Sequence, residues 1–252
     1  MAGFAEQDEL KETVIEEGKK VLQGNHWCGL EQASLLLGHL EYKPVAGRIV
    51  ELLDHERKEV YVTAAWALRR LQVPETLPRM LAKAQWHYER FVEPTIAVAD
   101  GVWPSGRQCA QLFQAFGQMR YRESDELMRK CVPKNLNIDG EMRAAACWAL
   151  GYLYEDNPEQ ALVAMFESRI EDFDSIPPED ENVLWMSAIA LGRMRAESAL
   201  PTLRRIASMH GPNREPGRAC YWAIERITGE PAPPPEKSEV GVLGWFLEPI
   251  AD

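Results

Sequence analysis

The same short helix ending recurs six times along the chain: Leu36-Leu37-Gly38-His39-Leu40, Ala67-Leu68-Arg69-Arg70-Leu71, Ala115-Phe116-Gly117-Gln118-Met119, Ala149-Leu150-Gly151-Tyr152-Leu153, Ala190-Leu191-Gly192-Arg193-Met194 and Ala223-Ile224-Glu225-Arg226-Ile227. With Leu37, Leu68, Phe116, Leu150, Leu191 and Ile224 as anchors, the steps are 31, 48, 34, 41 and 33 residues. At that spacing a helix pair is the repeating unit. In the second copy Val60, Ala64, Ala67, Leu68 and Leu71 fall at i, i+4, i+7, i+8 and i+11, and Met142, Ala146, Ala149, Leu150 and Leu153 do the same in the fourth. Each set is one face of an α-helix. The chain is therefore expected to be all-α, an αα-superhelix of about six helix pairs.

Large and small residues hold fixed columns. The residue before the anchor is alanine in five copies and Leu36 in the first, and the residue after it is glycine in four, with Arg69 and Glu225 as exceptions. Small side chains there let a second helix approach closely. A polar break follows each first helix, often with a proline, as at Pro44, Pro74 and Pro158; proline suits a first helical turn, where its missing N–H has no partner to lose. Second helices are expected over about 44–53, 74–88, 124–132, 158–170 and 199–209.

Segments such as Glu141-Met-Arg-Ala-Ala-Ala-Cys-Trp-Ala-Leu-Gly-Tyr-Leu153 and Ala190-Leu-Gly-Arg-Met-Arg-Ala-Glu-Ser-Ala-Leu-Pro-Thr-Leu203 resemble HEAT repeats, in particular the short HEAT-like type of the phycobilin lyases. The resemblance covers about residues 30 to 228. It implies a HEAT-like solenoid and, for function, a protein-binding scaffold more often than an enzyme.

Two steps exceed the period. The longer contains Trp86-His87-Tyr88-Glu89-Arg90-Phe91 and a Trp103-Pro104-Ser105-Gly106 turn, and lengthens the second helix. The other contains 171–181, an acidic, proline-bearing loop. Such loops either carry function or are tolerated surface insertions. Residues 8–22 read as an acidic amphipathic helix capping the N-terminus. Beyond 1–229, the expected solenoid, residues 230–252 form a stiff proline-rich linker and an apolar tail.

A net charge of -11 over 252 residues disfavours nucleic acid, whose affinity comes from lysine and arginine displacing counterions; an alkylpurine-glycosylase-like use of the fold needs a basic face. The five cysteines are scattered, without a CxxC pair, so buried thiols are expected, with no disulfide framework and no zinc site. No signal peptide and no membrane span are predicted, which places the protein in the cytoplasm. His55-Glu56 is the only His-Glu dipeptide, far short of the several pairs of the repeat-built deoxyhypusine hydroxylases. No catalytic set, metal ligand or cofactor is expected.

Three aromatic or basic groups remain. Trp66, Trp148 and Trp222 sit two residues before an anchor, but Leu35 and Ile189 share that column and only Gln114 is polar, so contact between adjacent repeats explains them better than a binding stripe. Arg48, Arg79, Lys83, Arg129, Lys130, Arg204 and Arg205 fall in second helices, which line the concave face of the resembled fold; they form either a basic strip for an acidic peptide or ordinary solvated faces with ion pairs inside a repeat, to residues such as Glu51 or Glu75. Trp86 and Tyr88 in the insertion, and Trp245 and Phe246 in the tail, complete the candidate partner-binding set. The tail either folds over the last repeat or is offered to a partner. The function expected is a non-enzymatic scaffold for a protein or peptide; the alternative is a lyase or maturation-factor subunit of the phycobilin-lyase type. The oligomeric state is left open.

Overall fold

The computed structural model describes residues 8–92 and 102–234, apart from the side chains of 8, 9 and 102–104. Among them are twelve α-helices and no strand. The six recurring endings close α2 (Trp27–His39), α4 (Lys58–Leu71), α6 (Val102–Gln118), α8 (Gly140–Leu153), α10 (Glu181–Arg193) and α12 (Glu215–Thr228), and these first helices pack in a row, each on the next. The second row is α3 (Ala46–Glu51), α5 (Leu77–Val92), α7 (Asp125–Cys131), α9 (Gln160–Ile170) and α11 (Leu200–His210). The chain is thus an all-α repeat superhelix, as the periodicity predicts.

Each second helix packs on the first helix that follows it more than on the one that precedes it. α1 (Asp8–Leu22) makes the same contact with α2, so six pairs run from α1–α2 to α11–α12. The helix expected as a cap therefore stands where a second helix stands elsewhere. Arg48 Nε fixes its end by donating to the Leu22 carbonyl at 3.2 Å.

The glycine and alanine columns meet. A Cβ added at Gly117, Gly151 or Gly192 would lie 2.8, 2.9 or 2.8 Å from the Cα of Ala149, Ala190 or Ala223 in the next repeat. Trp66, Trp148 and Trp222 lie over Gly38, Gly117 and Gly192 of the preceding repeat. The aligned tryptophans are inter-repeat packing. At the junction of the second and third repeats neither partner is present: Arg69 stands in the glycine column, Gln114 in the tryptophan column, and the guanidinium donates to the amide oxygen.

The turns after the first helices are equally regular. The carbonyls of Leu37, Phe116 and Leu191 accept from the N–H five residues on, at 3.0, 2.9 and 3.1 Å, closing the helix as a Schellman turn does. The left-handed residue in each is Glu41, Arg120 or Arg195, at φ 53°, 50° and 53°, where glycine is usual. Their side chains explain the choice, because each reaches the neighbouring repeat: Glu41 pairs with Arg70 at 2.8 Å, Arg120 donates to the Tyr152 carbonyl at 3.2 Å and to Glu155, and Arg195 bonds Asp156 at 2.5 Å.

Two details differ from expectation. The lengthened second helix is present, α5 extending 16 residues to Val92. The Trp103-Pro104-Ser105-Gly106 segment, however, is the first turn of α6 rather than a free turn; proline is compatible there because the first N–H groups of a helix have no intrahelical partner. Pro158 lies just before Glu159, the N-cap of α9. Cys109, Cys131, Cys147 and Cys220 are buried and Cys28 is half-buried, all as free thiols.

Candidate functional site: the second-helix face

The basic residues of the second row are matched by carboxylates of this same chain. Arg48 pairs with Glu51 at 2.8 Å. Asp54, ending the turn after α3, receives both Arg79 and Lys83, the latter at 3.0 Å. Arg129 bonds Asp125 at 2.9 Å and Glu159, while Lys130 pairs with Glu126 at 2.7 Å. Arg205 reaches Glu171, and Arg204 meets Glu230 at 3.2 Å. The expected pair of Arg48 with Glu51 is present, Glu75 takes part in none of these ion pairs, and several of the others run between repeats instead of within one. Asp54 with Arg79, Arg129 with Glu159 and Glu171 with Arg205 tie neighbouring repeats together, and an acidic peptide would have to displace those carboxylates.

Trp86 on α5 is different. It is 46 % exposed, with the Lys83 ammonium 4.3 Å from its ring centroid and the Arg90 guanidinium at 4.6 Å. The i−3 and i+4 spacing on one helix places a cation against it from each side. Tyr88, two residues on, turns the other way and is half-buried against the core, so the structure does not bring the two aromatics together. Trp245 and Phe246 lie outside the described residues.

Beneath Trp86, His87 is 4 % exposed, with Nε2 2.6 Å from Gln108 Oε1. Gln108 Nε2 donates to the carbonyls of Leu53 at 3.0 Å and Tyr61 at 3.3 Å. Its oxygen is therefore the acceptor, and His87 Nε2 carries the hydrogen. Burial pushes the His87 pKa down to about 4, with Lys83 and Arg90 adding to the effect against Gln108. A neutral imidazole so held ties α5 to α6 and anchors the tryptophan above it.

The acidic loop is strapped down. Glu179, 4 % exposed, takes Arg143 of α8 in a bidentate pair at 2.6 and 2.8 Å and Arg169 at 2.8 Å. Arg143 also donates to the carbonyls of Cys131 at 3.3 Å and Val132 at 3.1 Å. Asp172 meets Lys134 at 3.0 Å, and Asp180 caps α10 by accepting from the Asn182 N–H at 2.9 Å. The peptide bond Ile176–Pro177 is cis, and Ile176 itself is fully exposed. Between α9 and α11 lies an open, polar groove of about 590 Å³ lined by Glu167, Arg169, Glu171, Asp172 and Thr202, whose carboxylates are all engaged with Thr202, Arg205, Lys134 or Arg169.

Two buried arginines escape sequence reasoning. Arg143 occupies the column seven before the anchor, otherwise filled by Leu30, Tyr61, Cys109, Leu184 and Gly217; a lone cation there, one repeat before an acidic loop, was the available signal. Arg193, 6 % exposed, lays its guanidinium 3.6 Å over the Tyr152 ring of the preceding repeat. Nothing in its own segment marks that contact. Among the described residues no group of three or more His, Cys, Asp or Glu side chains is placed to hold a metal ion, and no helix is long and apolar enough to cross a membrane.

Solved structures of similar fold exist. One, the crystal structure of an engineered protein, is 16 % identical with a TM-score of 0.50, over 85 % of this chain and 96 % of that one. At that identity the likeness speaks for the fold alone. No protein-family model and no curated protein matches the chain.

Proposed function

We propose that this protein is a non-enzymatic, HEAT-like scaffold that binds a partner protein or peptide on its second-helix face, with Trp86 at the centre of the contact. The exposure of Trp86 between two cations carries the proposal. Tryptophan and arginine are the residues on which interface energy most often concentrates. Here both stand on a helix whose underside is fixed by the His87–Gln108 tie, so little ordering entropy is lost on binding. The paired basic residues keep the repeats in register, and the partner meets tryptophan and Arg90 rather than a bare positive strip. The net charge of -11 favours a protein over a nucleic acid, and the cytoplasm is the compartment that fits buried free thiols.

The test is affinity capture from the source organism with the wild type and Trp86→Ala. The wild type is expected to retain a protein that Trp86→Ala loses while its melting temperature is unchanged. Identical capture by both, or a pigment or metal bound to the purified protein, would overturn the proposal.

A further inference from the structure

Each first helix turns two columns toward the repeat that follows, one residue after and three residues before its anchor. In four of the interior first helices these are Gly38 and Ser34, Gly117 and Phe113, Gly151 and Cys147, Gly192 and Ala188, all buried; on α4 they are Ala65, buried, and Arg69, half-buried and bonded to Gln114 of the next repeat. On α12 the same columns hold Glu225, exposed, and Tyr221, half-buried. Among the described residues no seventh first helix covers them. Yet the chain leaving α12 turns back onto this face. Gly229, at φ 79°, reverses its direction; Glu230 meets Arg204 at 3.2 Å; and the Ala232 N–H donates to Glu225 Oε2 at 3.2 Å. The hydrogen bond is made to the very residue that fills the glycine column.

We propose that residues 240–250 cover the Tyr221 and Glu225 face of α12, closing the array in place of a seventh helix. The described chain ends at Pro234, two residues beyond the Ala232 N–H that bonds Glu225, and 18 residues, 235–252, follow. The intervening 235–239 span at most about 17 Å when extended and 240–250 a further ~36 Å, while α12, with 14 residues, is about 21 Å long, so the segment is long enough to run along its open face. Seven of the eleven residues are large and apolar: Val240, Val242, Leu243, Trp245, Phe246, Leu247 and Ile250. Burying them is worth far more against Tyr221 than in water, at roughly 25 cal/mol per Å². Terminal repeats require such closure because each repeat otherwise contacts only its neighbours. Trp245 and Phe246 are thereby assigned to this chain's own last repeat, independently of the partner surface at Trp86.

Amide hydrogen exchange of the full chain tests this, alongside the double variant Trp245→Ala/Phe246→Ala. In the wild type, amides of 240–250 are expected to be protected by about tenfold or more, unchanged over about a hundredfold dilution. The double variant should lose that protection and speed exchange at 221–228, leaving 27–71 unaffected. Free exchange of 240–250 in the wild type would overturn the proposal. So would protection that fades on dilution, the mark of a second copy as the partner. Tyr221→Ala supplies a second reading from the other side of the contact: it should release 240–250 while α10 stays protected, and tail exchange unchanged in that variant would also overturn the proposal.

Discussion

Arg143 on α8 grips Glu179, just ahead of α10, through two hydrogen bonds of 2.6 and 2.8 Å, with both side chains buried. Removing one member of a buried pair leaves the other charged and uncompensated, at a cost of about 3–5 kcal/mol. Glu179→Ala should therefore destabilise the protein by that order in urea unfolding. Arg143→Met combined with Glu179→Leu should cost less than either change alone, and a strictly additive result would show that the two do not act as a pair. Burial pushes the Glu179 carboxyl up, but Arg143, the Asp180 N–H and Arg169 together hold it below the usual glutamate range. Its contribution is thus present above the ordinary glutamate pKa and is lost as the pH falls through that lower folded value.

His87 gives a second, separable acid response. Its folded pKa of about 4 lies below the ordinary 6.5, so between these values the unfolded chain binds the extra proton and stability rises with pH. Lowering the pH from 6.5 toward 4 should cost roughly 3 kcal/mol at 1.4 kcal/mol per pKa unit. His87→Gln should flatten the profile in that window and leave the Glu179 response, at lower pH, in place. Equal profiles for wild type and variant would show that His87 is not the group titrating.

Arg69 and Gln114 replace the glycine and tryptophan of the regular junctions as a couple. Gln114→Trp alone meets the Arg69 side chain, and Arg69→Gly alone strands a buried amide. The double variant R69G/Q114W restores the regular junction, so its stability loss should fall short of the summed single losses by about 1–3 kcal/mol. Thermal melts of the four proteins measure this; additivity within about 0.5 kcal/mol would mean the two positions are independent.

At Arg120 the left-handed backbone and the bridge to the next repeat oppose each other. Arg120→Gly loses the bridge to Tyr152 and Glu155 but relieves a conformation costing about 1 kcal/mol. Arg120→Ala loses the bridge and keeps the strain. The glycine variant should melt above the alanine variant, and the reverse order would remove the strain from the explanation.

The repeat made the fold legible, because a Gly–Ala contact and a 3.6-residue period are local signals that each copy restates. Even the place of the tryptophans followed from aligning Trp66, Trp148 and Trp222 with Leu35 and Ile189. What stayed hidden lies between repeats. The partners of Arg79 and Lys83 on Asp54, of Arg129 on Glu159 and of Arg143 on Glu179 are 25 to 36 residues apart, and spacing along one helix cannot reveal them. Arg69 and Gln114 were visible as exceptions to two columns; only the structure shows that the exceptions touch. Trp86 and Tyr88 looked like one aromatic group in sequence, yet a helix turns residues two apart to different sides, and only Trp86 faces outward.

A titration of the captured partner against three proteins weighs Trp86 directly against the basic strip. With the wild type, Trp86→Ala and the paired-charge variant Arg129→Gln/Lys130→Gln, calorimetry should find affinity weakened tenfold or more, about 1.4 kcal/mol, by Trp86→Ala alone. Affinity unaffected by Trp86→Ala but lost with Arg129 and Lys130 would contradict it.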